Sequence, residues 1–427
     1  MNFIYSIIMS GLAAFMRVAA LWVPKAKLWV TGRQNWRKRY ADALSTFAPD
    51  RKRLWIHAAS LGEFEQGRPI IEAVRQAHPD WVVVLTFFSP SGFEIRKNYP
   101  HADFIAYLPV DTRQNAQDFW AIVQPDVAIF IKYEFWANYL HTLKANGIPT
   151  LLVSAIFRET QPFFKWYGAF WRSMLGCFTH LFVQDAASKT LLGQAGFANV
   201  TVAGDTRIDR VLANAESAPA NDLVAAFAEG SKVFIVGSAW GADEDVFLPV
   251  LLKNPTIKSV FSKIIIAPHE PNEKHISGLL AKINGLGSAA VTAVRYTQAT
   301  ESQVRRAQIL VIDNIGMLNT LYRYGTVAYI GGGFGKGIHN TLEPAAWGLP
   351  IIFGPKFQKF EEARQLTACG AAFAVENTAD FEKIMEKLAH SEFQATAGST
   401  SKAWLGENKG ATARILSFLW QFHALKP

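Results

Sequence analysis

Two carboxylates follow strand-like segments in the first half of the chain, where they could do acid–base chemistry. Glu63 ends the segment His57–Glu63, and Glu134 lies in Ile131–Trp136. A carboxylate just past the carboxyl end of a parallel strand is well placed to act as a general base. Each also has a structural interpretation. Ser60 and Glu63 have the spacing of a helix capping box, and an acid such as Glu134 complements a helix N-terminus. Both interpretations stay open at this point.

A glycine-rich segment, Gly331–Pro344, is the strongest candidate for anion binding. It follows the apolar run Val327–Ile330 and leads into a helix expected to begin near Asn340–Glu343. Glycines let backbone amides approach a ligand closely, and a helix N-terminus favours negative charge. The segment therefore predicts an anionic nucleotide site formed by Gly332, Gly333, Lys336, Asn340 and Glu343. A tight turn that packs a helix onto a sheet would explain the glycines equally well.

Three further turns in the second half of the chain also end strand-like runs. They are Val236–Ser238, Pro268–Pro271 and Asp313–Leu318. Together they predict that Ser238, His269 and the backbone of Gly316, Met317 and Leu318 lie at the same edge of one sheet as the glycine-rich segment. The sequence contains no Walker loop, no Cys/His cluster at metal-ligand spacing and no G-x-S-x-G elbow. We therefore expect no metal and no cofactor.

Apolar strand-like runs alternate with helical patterns in two series, which predicts two α/β domains with parallel sheets covered on both faces. We expect two Rossmann-like domains facing each other across a cleft, at residues 31–210 and at 211–427, the second including the C-terminal helices. The predicted strands are 53–57, 81–86, 104–107, 127–131, 150–154, 180–183 and 200–203 in the first series, and 233–236, 263–267, 289–291, 309–312, 327–330 and 350–353 in the second.

The N-terminal segment, residues 1–30, is apolar from Phe3 to Val23 apart from Arg17. Since a spanning helix needs about 20 mostly apolar residues, the segment predicts either a membrane anchor or an amphipathic helix in the membrane surface. A helix docked on the rest of the protein is the alternative. Positive charge after the segment favours a cytoplasmic position for the protein body.

Charge and cysteine content narrow the class of protein. Between Arg17 and Arg53 there are ten Lys or Arg and two Asp, which accounts for the whole net charge of +8. Charge confined in this way argues against a nucleic-acid partner and for an anionic membrane surface. Cys177 and Cys369 are too few for a disulfide scaffold, which fits a reducing compartment.

In their order along nearly the whole chain, these motifs resemble the bacterial Kdo (3-deoxy-D-manno-octulosonic acid) transferases. The resemblance is carried by Trp55–Glu63, Thr86–Gly92, Tyr107–Asp111, Glu134–Asn138, Gly147–Ser154, Gly204–Asp209, Gly237–Ser238 and His339–Ala346. It implies a GT-B glycosyltransferase that inverts the anomeric centre without a metal. The donor would be CMP-Kdo and the acceptor a lipid A precursor, at the cytoplasmic face of the inner membrane.

The resemblance also implies roles for individual residues. Glu63 matches the family's catalytic base, and Glu134 a second acidic residue of the acceptor half. Ser238, the Gly316–Leu318 backbone, Asn340 and Glu343 match the nucleotide side. Two positions depart from the family pattern: His269 stands where an arginine is common, and Lys132 where a carboxylate is common. These two departures keep open an inactive membrane-bound sugar-nucleotide sensor. Another GT-B transferase using a uridine nucleotide and a sugar-nucleotide epimerase are the alternative enzymes.

Overall fold

Residues 2–286 and 291–424 are described by the computed structural model, and within them the chain forms two compact α/β units. The strands of the first unit are β1 (Arg53–Ala58), β2 (Val82–Phe87), β3 (Phe104–Tyr107), β4 (Val127–Ile131), β5 (Thr150–Ala155), β6 (His180–Val183) and β7 (Val200–Val202). Those of the second unit are β8 (Val233–Ala239), β9 (Lys263–Pro268), β10 (Ala293–Arg295), β11 (Ile309–Val311), β12 (Val327–Ile330), β13 (Ile351–Phe353) and β14 (Ala372–Ala374).

Helices connect most of these strands, as the alternating pattern predicts. In chain order they are α1 (Asn2–Ala19), α2 (Pro24–Thr31), α3 (Trp36–Leu44), α4 (Leu61–Ala77), α5 (Pro90–Arg96), α6 (Arg113–Val123), α7 (Ala137–Ala145), α8 (Ala169–Leu175), α9 (Ala186–Gln194), α10 (Thr206–Ser217), α11 (Asp222–Ala228), α12 (Gly241–Lys253), α13 (Pro255–Val260), α14 (Glu273–Leu286), α15 (Glu301–Arg306), α16 (Leu318–Leu321), α17 (Leu342–Ala346), α18 (Glu361–Ala368), α19 (Thr378–Ala389), α20 (Ser391–Asn408) and α21 (Ala411–Ala424).

The first sheet has the order β3-β2-β1-β4-β5-β6-β7, and all its pairings are parallel. Every residue of β1 is buried, and alternate residues enter opposite cores: Trp55 lies in one and Leu54 and Ile56 in the other. A strand buried on both faces is mostly apolar at consecutive positions, and in β1 the apolar run is Leu54–Ile56. The predicted parallel sheet covered on both faces is confirmed.

The second sheet has the order β10-β11-β9-β8-β12-β13-β14, again with parallel pairings. In each sheet the strand order reverses beside the strand that comes first in the chain, which we call the leading strand. The reversal lies between β1 and β4 in the first sheet and between β8 and β12 in the second. Ligands bind at such positions, outside the carboxyl ends of the strands. The predicted strand at 289–291 falls outside the described residues except for Val291.

The last helix departs from the predicted domain assignment. The first unit comprises the chain up to Asp209 and again from Lys409 onward, and the second comprises Arg210–Asn408. Helix α21 therefore belongs to the first unit, whereas we had placed it with residues 211–427. Its Ile415 and Leu419 are buried in the core lined by β1 and α4, and the amide of Thr412 donates to Asp209 at 2.7 Å. The apolar face of α21 is buried in the core of the first unit, although the helix follows the second unit in the chain.

Helix α1 is attached to the first unit on one side and exposed on the other. Tyr5 Oη donates to Oδ2 of the buried Asp111 at 2.7 Å. The outer side carries exposed large apolar side chains, at Phe3, Ile4, Ile7, Ile8 and Phe15. None of the helices in the described part of the chain is both long enough and apolar enough to cross a membrane.

Candidate active site

Glu134 lies just past the end of β4, and one of its carboxylate oxygens contacts the rings of His57 and Trp136. Nε2 of His57 lies 3.0 Å from Oε2 of Glu134, and Trp136 Nε1 donates to the same oxygen at 2.7 Å. His57 is fully buried near the end of β1, with Nδ1 2.8 Å from Thr86 Oγ1. Trp136 Nε1 also lies 3.0 Å from Nε2 of His57, and Nδ1 of His57 lies 3.1 Å from the carbonyl oxygen of Thr86. No hydrogen bond within the described residues uses Oε1 of Glu134, so this oxygen is available to a ligand.

Glu63 lies in the first turn of α4, half-buried, and its carboxylate accepts a hydrogen bond from Ser60 Oγ. The Ser60 side chain does not accept the amide hydrogen bond that a capping box requires. The capping-box interpretation of this pair therefore fails in its main feature. The serine instead orients the carboxylate, which remains accessible.

The two carboxylates stand on neighbouring loops because β1 and β4 are adjacent strands, with His57 in register with Phe130. Tyr133, in the loop after β4, lies close enough to Glu63, in the loop after β1, to be influenced by its charge. Burial raises the pKa of the Tyr133 phenol, and the negative charges of Asp185 and Glu63 add to this rise, against the effect of Arg158. One edge of the first sheet thus presents a half-buried carboxylate, Glu63, and a buried one with fixed orientation, Glu134. This pairing suits a general base and a group that positions its substrate.

In the second unit, the glycines of the Gly331 segment serve close packing. A Cβ at Gly331 would lie 2.3 Å from the Ser238 carbonyl oxygen, and Gly332 has a φ of +92°. The amide of Gly332 donates to Oδ2 of Asp243 at 2.9 Å, so it is already occupied. The tight-turn interpretation therefore accounts for these glycines. Lys336, which the sequence predicts as an anion-binding residue, is exposed in the same segment.

Asp243 was missed by sequence reasoning. It is buried at the start of α12, where its two oxygens also accept from Trp240 N and Tyr329 Oη. Burial raises the pKa of Asp243, and these hydrogen bonds counteract the rise. The sequence signal that could have identified Asp243 is an acidic residue in the first turn of the helix that follows β8. It is typical of many helix starts and did not identify a loop-bracing residue.

Asn340 and Glu343 are brought together at the start of α17, close to the predicted helix start. Asn340 Nδ2 donates to Glu343 Oε1 at 3.0 Å, and its Oδ1 accepts from the amide of Leu342. Burial raises the pKa of Glu343, while the hydrogen bond from Asn340 and the charge of Arg210 lower it. Arg210 lies within electrostatic reach of this carboxyl group and was not predicted.

Three aromatic rings contact one another beyond the ends of β8 and β9, where the glycine-rich segment passes. Trp240 lies 4.5 Å from His269 between ring centroids, and His269 lies 4.3 Å from His339 in a stacked arrangement. Trp240 Nε1 donates to His339 Nε2 at 3.3 Å, which places the proton of a neutral His339 on Nδ1. Burial and the neighbouring His269 lower the pKa of His339 to about 4. A neutral imidazole N–H is therefore held at this edge of the sheet.

The remaining predicted residues lie at the same edge of the second sheet. Ser238 adopts a left-handed φ of +56° at an irregularity between β8 and β9. Gly316 has a φ of +99° in the loop after β11, and Met317 and Leu318 begin α16. Among the described residues, no group of three or more His, Cys, Asp or Glu side chains could hold a metal ion.

Comparison with known proteins finds similarity to one group of transferases. A family model described as 3-deoxy-D-manno-octulosonic-acid transferase matches residues 34–210. The chain is 26% identical to a 3-deoxy-D-manno-octulosonic acid transferase of Haemophilus influenzae, over 91% of each chain. It is likewise 26% identical to one of Aquifex aeolicus, over 78% of this chain and 85% of that protein.

Solved structures show the fold. UDP-GlcNAc 2-epimerase from Neisseria meningitidis aligns with a TM-score of 0.60 at 15% identity, over 87% of this chain and 100% of that one. MurG of Acinetobacter baumannii aligns with a TM-score of 0.54 at 12% identity, over 87% of this chain and 99% of that one. The two parallel-sheet α/β units are those of the GT-B fold.

Proposed function

We propose that this chain, as a member of the 3-deoxy-D-manno-octulosonic acid transferase family, moves Kdo from CMP-Kdo to a lipid A precursor. This reaction belongs to lipopolysaccharide biosynthesis. The observation that carries this function is similarity to transferases of that name over most of the chain. The positions of Glu63 and Glu134 at one edge of the first sheet support it, because glycosyl transfer to a hydroxyl needs a base there.

In the reaction that we propose, Glu63 removes the proton of an acceptor sugar hydroxyl as its oxygen attacks the anomeric carbon of Kdo. The bond from this carbon to the phosphate oxygen of CMP breaks, and CMP leaves with the electron pair. Attack from the face opposite the leaving group inverts the anomeric centre. Glu134, oriented by His57 and Trp136, offers Oε1 to a second acceptor hydroxyl and so positions the nucleophile.

We assign donor binding to the edge of the second sheet, without a metal ion. Ser238, the backbone at Met317, and Asn340 with Glu343 would contact the nucleotide. Preorganised N–H donors can stabilise the departing phosphate in place of a cation. His269 stands where the family pattern described above has an arginine. We therefore expect the charge of Lys336 and the Nδ1–H of His339 to contribute more to stabilising the departing phosphate.

We place the enzyme at the cytoplasmic face of the inner membrane, with α1 lying in the membrane surface. The exposed apolar side of α1 supports this placement, as do the basic residues between Arg17 and Arg53. An in-plane helix combines an apolar face with flanking Lys and Arg that attract anionic lipid. The acceptor, itself an anionic lipid, would be taken from that surface.

A transfer assay with CMP-Kdo and a lipid A precursor tests the function directly. Formation of a Kdo-bearing lipid product, detected by mass spectrometry, is the expected outcome. Calorimetry with CMP, UMP and UDP should show binding of CMP in preference to the uridine nucleotides. Preferential UDP binding without Kdo transfer would indicate the epimerase or uridine-nucleotide alternative. CMP-Kdo binding with no transfer to any lipid acceptor would indicate the inactive sensor.

A further inference from the structure

An apolar groove of about 480 Å³ lies between helix α1 and the segment that leads into α8. Ile4, Tyr5 and Ile8 line one wall, and the other wall includes Phe163 and Met174. The lining residues, all in the described part of the chain, include no charged side chain. The hydrogen bond from Tyr5 to Asp111 fixes the α1 wall to the first unit. The groove is therefore a preformed feature of the first unit, with the size of a ligand pocket.

The groove borders the loop that carries Glu134, since Tyr133 and Phe135 both line it. Tyr133 lines it, stands directly before Glu134 in the chain, and lies within electrostatic reach of Glu63. The groove also borders the exposed side of α1, because Ile4 and Ile8 line the groove and are 57% and 62% exposed. An apolar path thus runs from the outer surface of α1 to the loop that carries a catalytic carboxylate.

Helix α1 also lines a cationic pocket of about 800 Å³, farther along its length. The basic residues around this pocket are Arg17, Arg33, Arg37 and Lys38, and none of its lining residues, all in the described part of the chain, is acidic. Ile8 and Arg17 are nine positions apart, which is about 14 Å along a helix. One helix thus presents an uncharged apolar groove and a basic pocket, which together complement an anionic amphiphile rather than a peptide segment.

We propose that the groove binds one acyl chain of the acceptor lipid and thereby holds the acceptor's sugar hydroxyl at Glu63. This inference rests on the proposed function, since it names how that reaction's acceptor is recognised. The acyl chain lies between Ile4 and Ile8 on one wall and Phe163 and Met174 on the other, with the acceptor's sugar on the Tyr133 side and the end of the acyl chain toward the membrane surface. Because each buried methylene contributes about a fourfold gain in affinity, a groove of this size accounts for preference for an acylated acceptor.

Substitution of Ile8 by lysine tests the groove, and Ile7→Lys is the matched control. Both side chains are exposed on α1, at 62% and 55%, but Ile7 does not line the groove. With the acylated acceptor in detergent micelles, we expect Ile8→Lys to raise the acceptor KM at least tenfold. The KM values for CMP-Kdo and for a fully deacylated disaccharide acceptor should not change. Equal effects of Ile7→Lys and Ile8→Lys, or an equal loss with the deacylated acceptor, would overturn the groove assignment.

Photocrosslinking tests occupancy without requiring turnover. A lipid A precursor with a diazirine at the end of an acyl chain should label the peptides that contain Ile4, Phe163 or Met174, detected by mass spectrometry. Equal labelling by a phospholipid with the same diazirine, or crosslinks between two copies of the chain through these residues, would refute an acceptor site. If the wild-type protein is labelled in the groove but transfers no Kdo, the proposed function fails while the lipid site stands.

Discussion

Nε2 of His57 lies 3.0 Å from Oε2 of Glu134, although the two residues are 77 positions apart in the chain. The ring of His57 is fully buried, and Trp136 Nε1 contacts the same carboxylate oxygen. Two rings, one from β1 and one from the loop after β4, thus fix the orientation of one carboxylate at the edge of the first sheet. This arrangement suits the positioning role that we propose for Glu134, and Glu63, oriented by a serine hydroxyl, is the base that we propose.

Replacement of Glu63 by glutamine should lower turnover about 100- to 10,000-fold, the usual worth of a general base. Because the carboxylate is half-buried and its polar partner is a hydroxyl, the melting temperature and the CMP affinity should change little. Steady-state kinetics and calorimetry measure these quantities. The exposed Glu159, changed to glutamine, is the matched control. Turnover near the wild-type level in Glu63→Gln would remove this residue from the mechanism.

Replacement of Trp136 by phenylalanine should lower kcat roughly 10- to 100-fold, since a hydrogen bond to a charged group contributes about 1.5–3 kcal/mol. The variant keeps an aromatic ring against Phe88 but loses the N–H that holds Glu134. The acceptor KM should rise less than kcat falls. Trp404→Phe, in helix α20 of the second unit, serves as the control. A Trp136→Phe enzyme with unchanged kcat and a lowered melting temperature would indicate a purely structural role.

Acidification should destabilise the second unit through His339. Its pKa is about 4 in the folded protein and about 6.5 in an unfolded chain, so the unfolded state binds the proton first as the pH falls. Stability therefore declines from about pH 6.5 down to about pH 4. His339→Gln, whose amide oxygen can accept from Trp240, should flatten this decline in urea unfolding measured at several pH values. His390→Gln should not. An identical pH dependence in wild type and His339→Gln would contradict the assigned cause.

Removal of basic charge near α1 should weaken binding to anionic membranes. Each Lys or Arg near such a surface contributes about 1 kcal/mol, so Arg17→Gln combined with Lys38→Gln should reduce affinity roughly 30-fold. Both side chains are exposed beside the basic pocket. Sedimentation with vesicles containing phosphatidylglycerol measures the effect, and neutral vesicles should show a smaller one. Lys383→Gln with Lys387→Gln, in the second unit, provides the charge-matched control. Unchanged sedimentation of the first variant would exclude this surface.

Chelation should leave transfer activity intact, because the proposed stabilisation of the leaving CMP uses protein N–H groups and lysine. The assay is Kdo transfer before and after dialysis against a chelator, with the donor affinity measured in parallel. Activity that is lost on dialysis and restored by a divalent ion alone would show that the metal-independent mechanism is wrong.

Much of the fold was predictable because a strand buried on both faces is mostly apolar at consecutive positions. The runs at β1 and β8 identified the leading strands, and the polar residues just beyond them identified the edges where ligands bind. The final helix was assigned to the wrong unit, because an amphipathic helix does not specify which of two cores will bury it.

The sequence by itself determined two α/β series, the strand ends that carry Glu63, Glu134, Ser238 and Asn340, and the family pattern that joins them. Tertiary structure alone decided how these groups are held. The contacts of His57 with Glu134, of Asp243 with Gly332 and of Trp240 with His339 join residues 77 to 99 positions apart. Such contacts depend on which strands become neighbours and on side-chain directions at their ends, and local periodicity in a chain encodes neither.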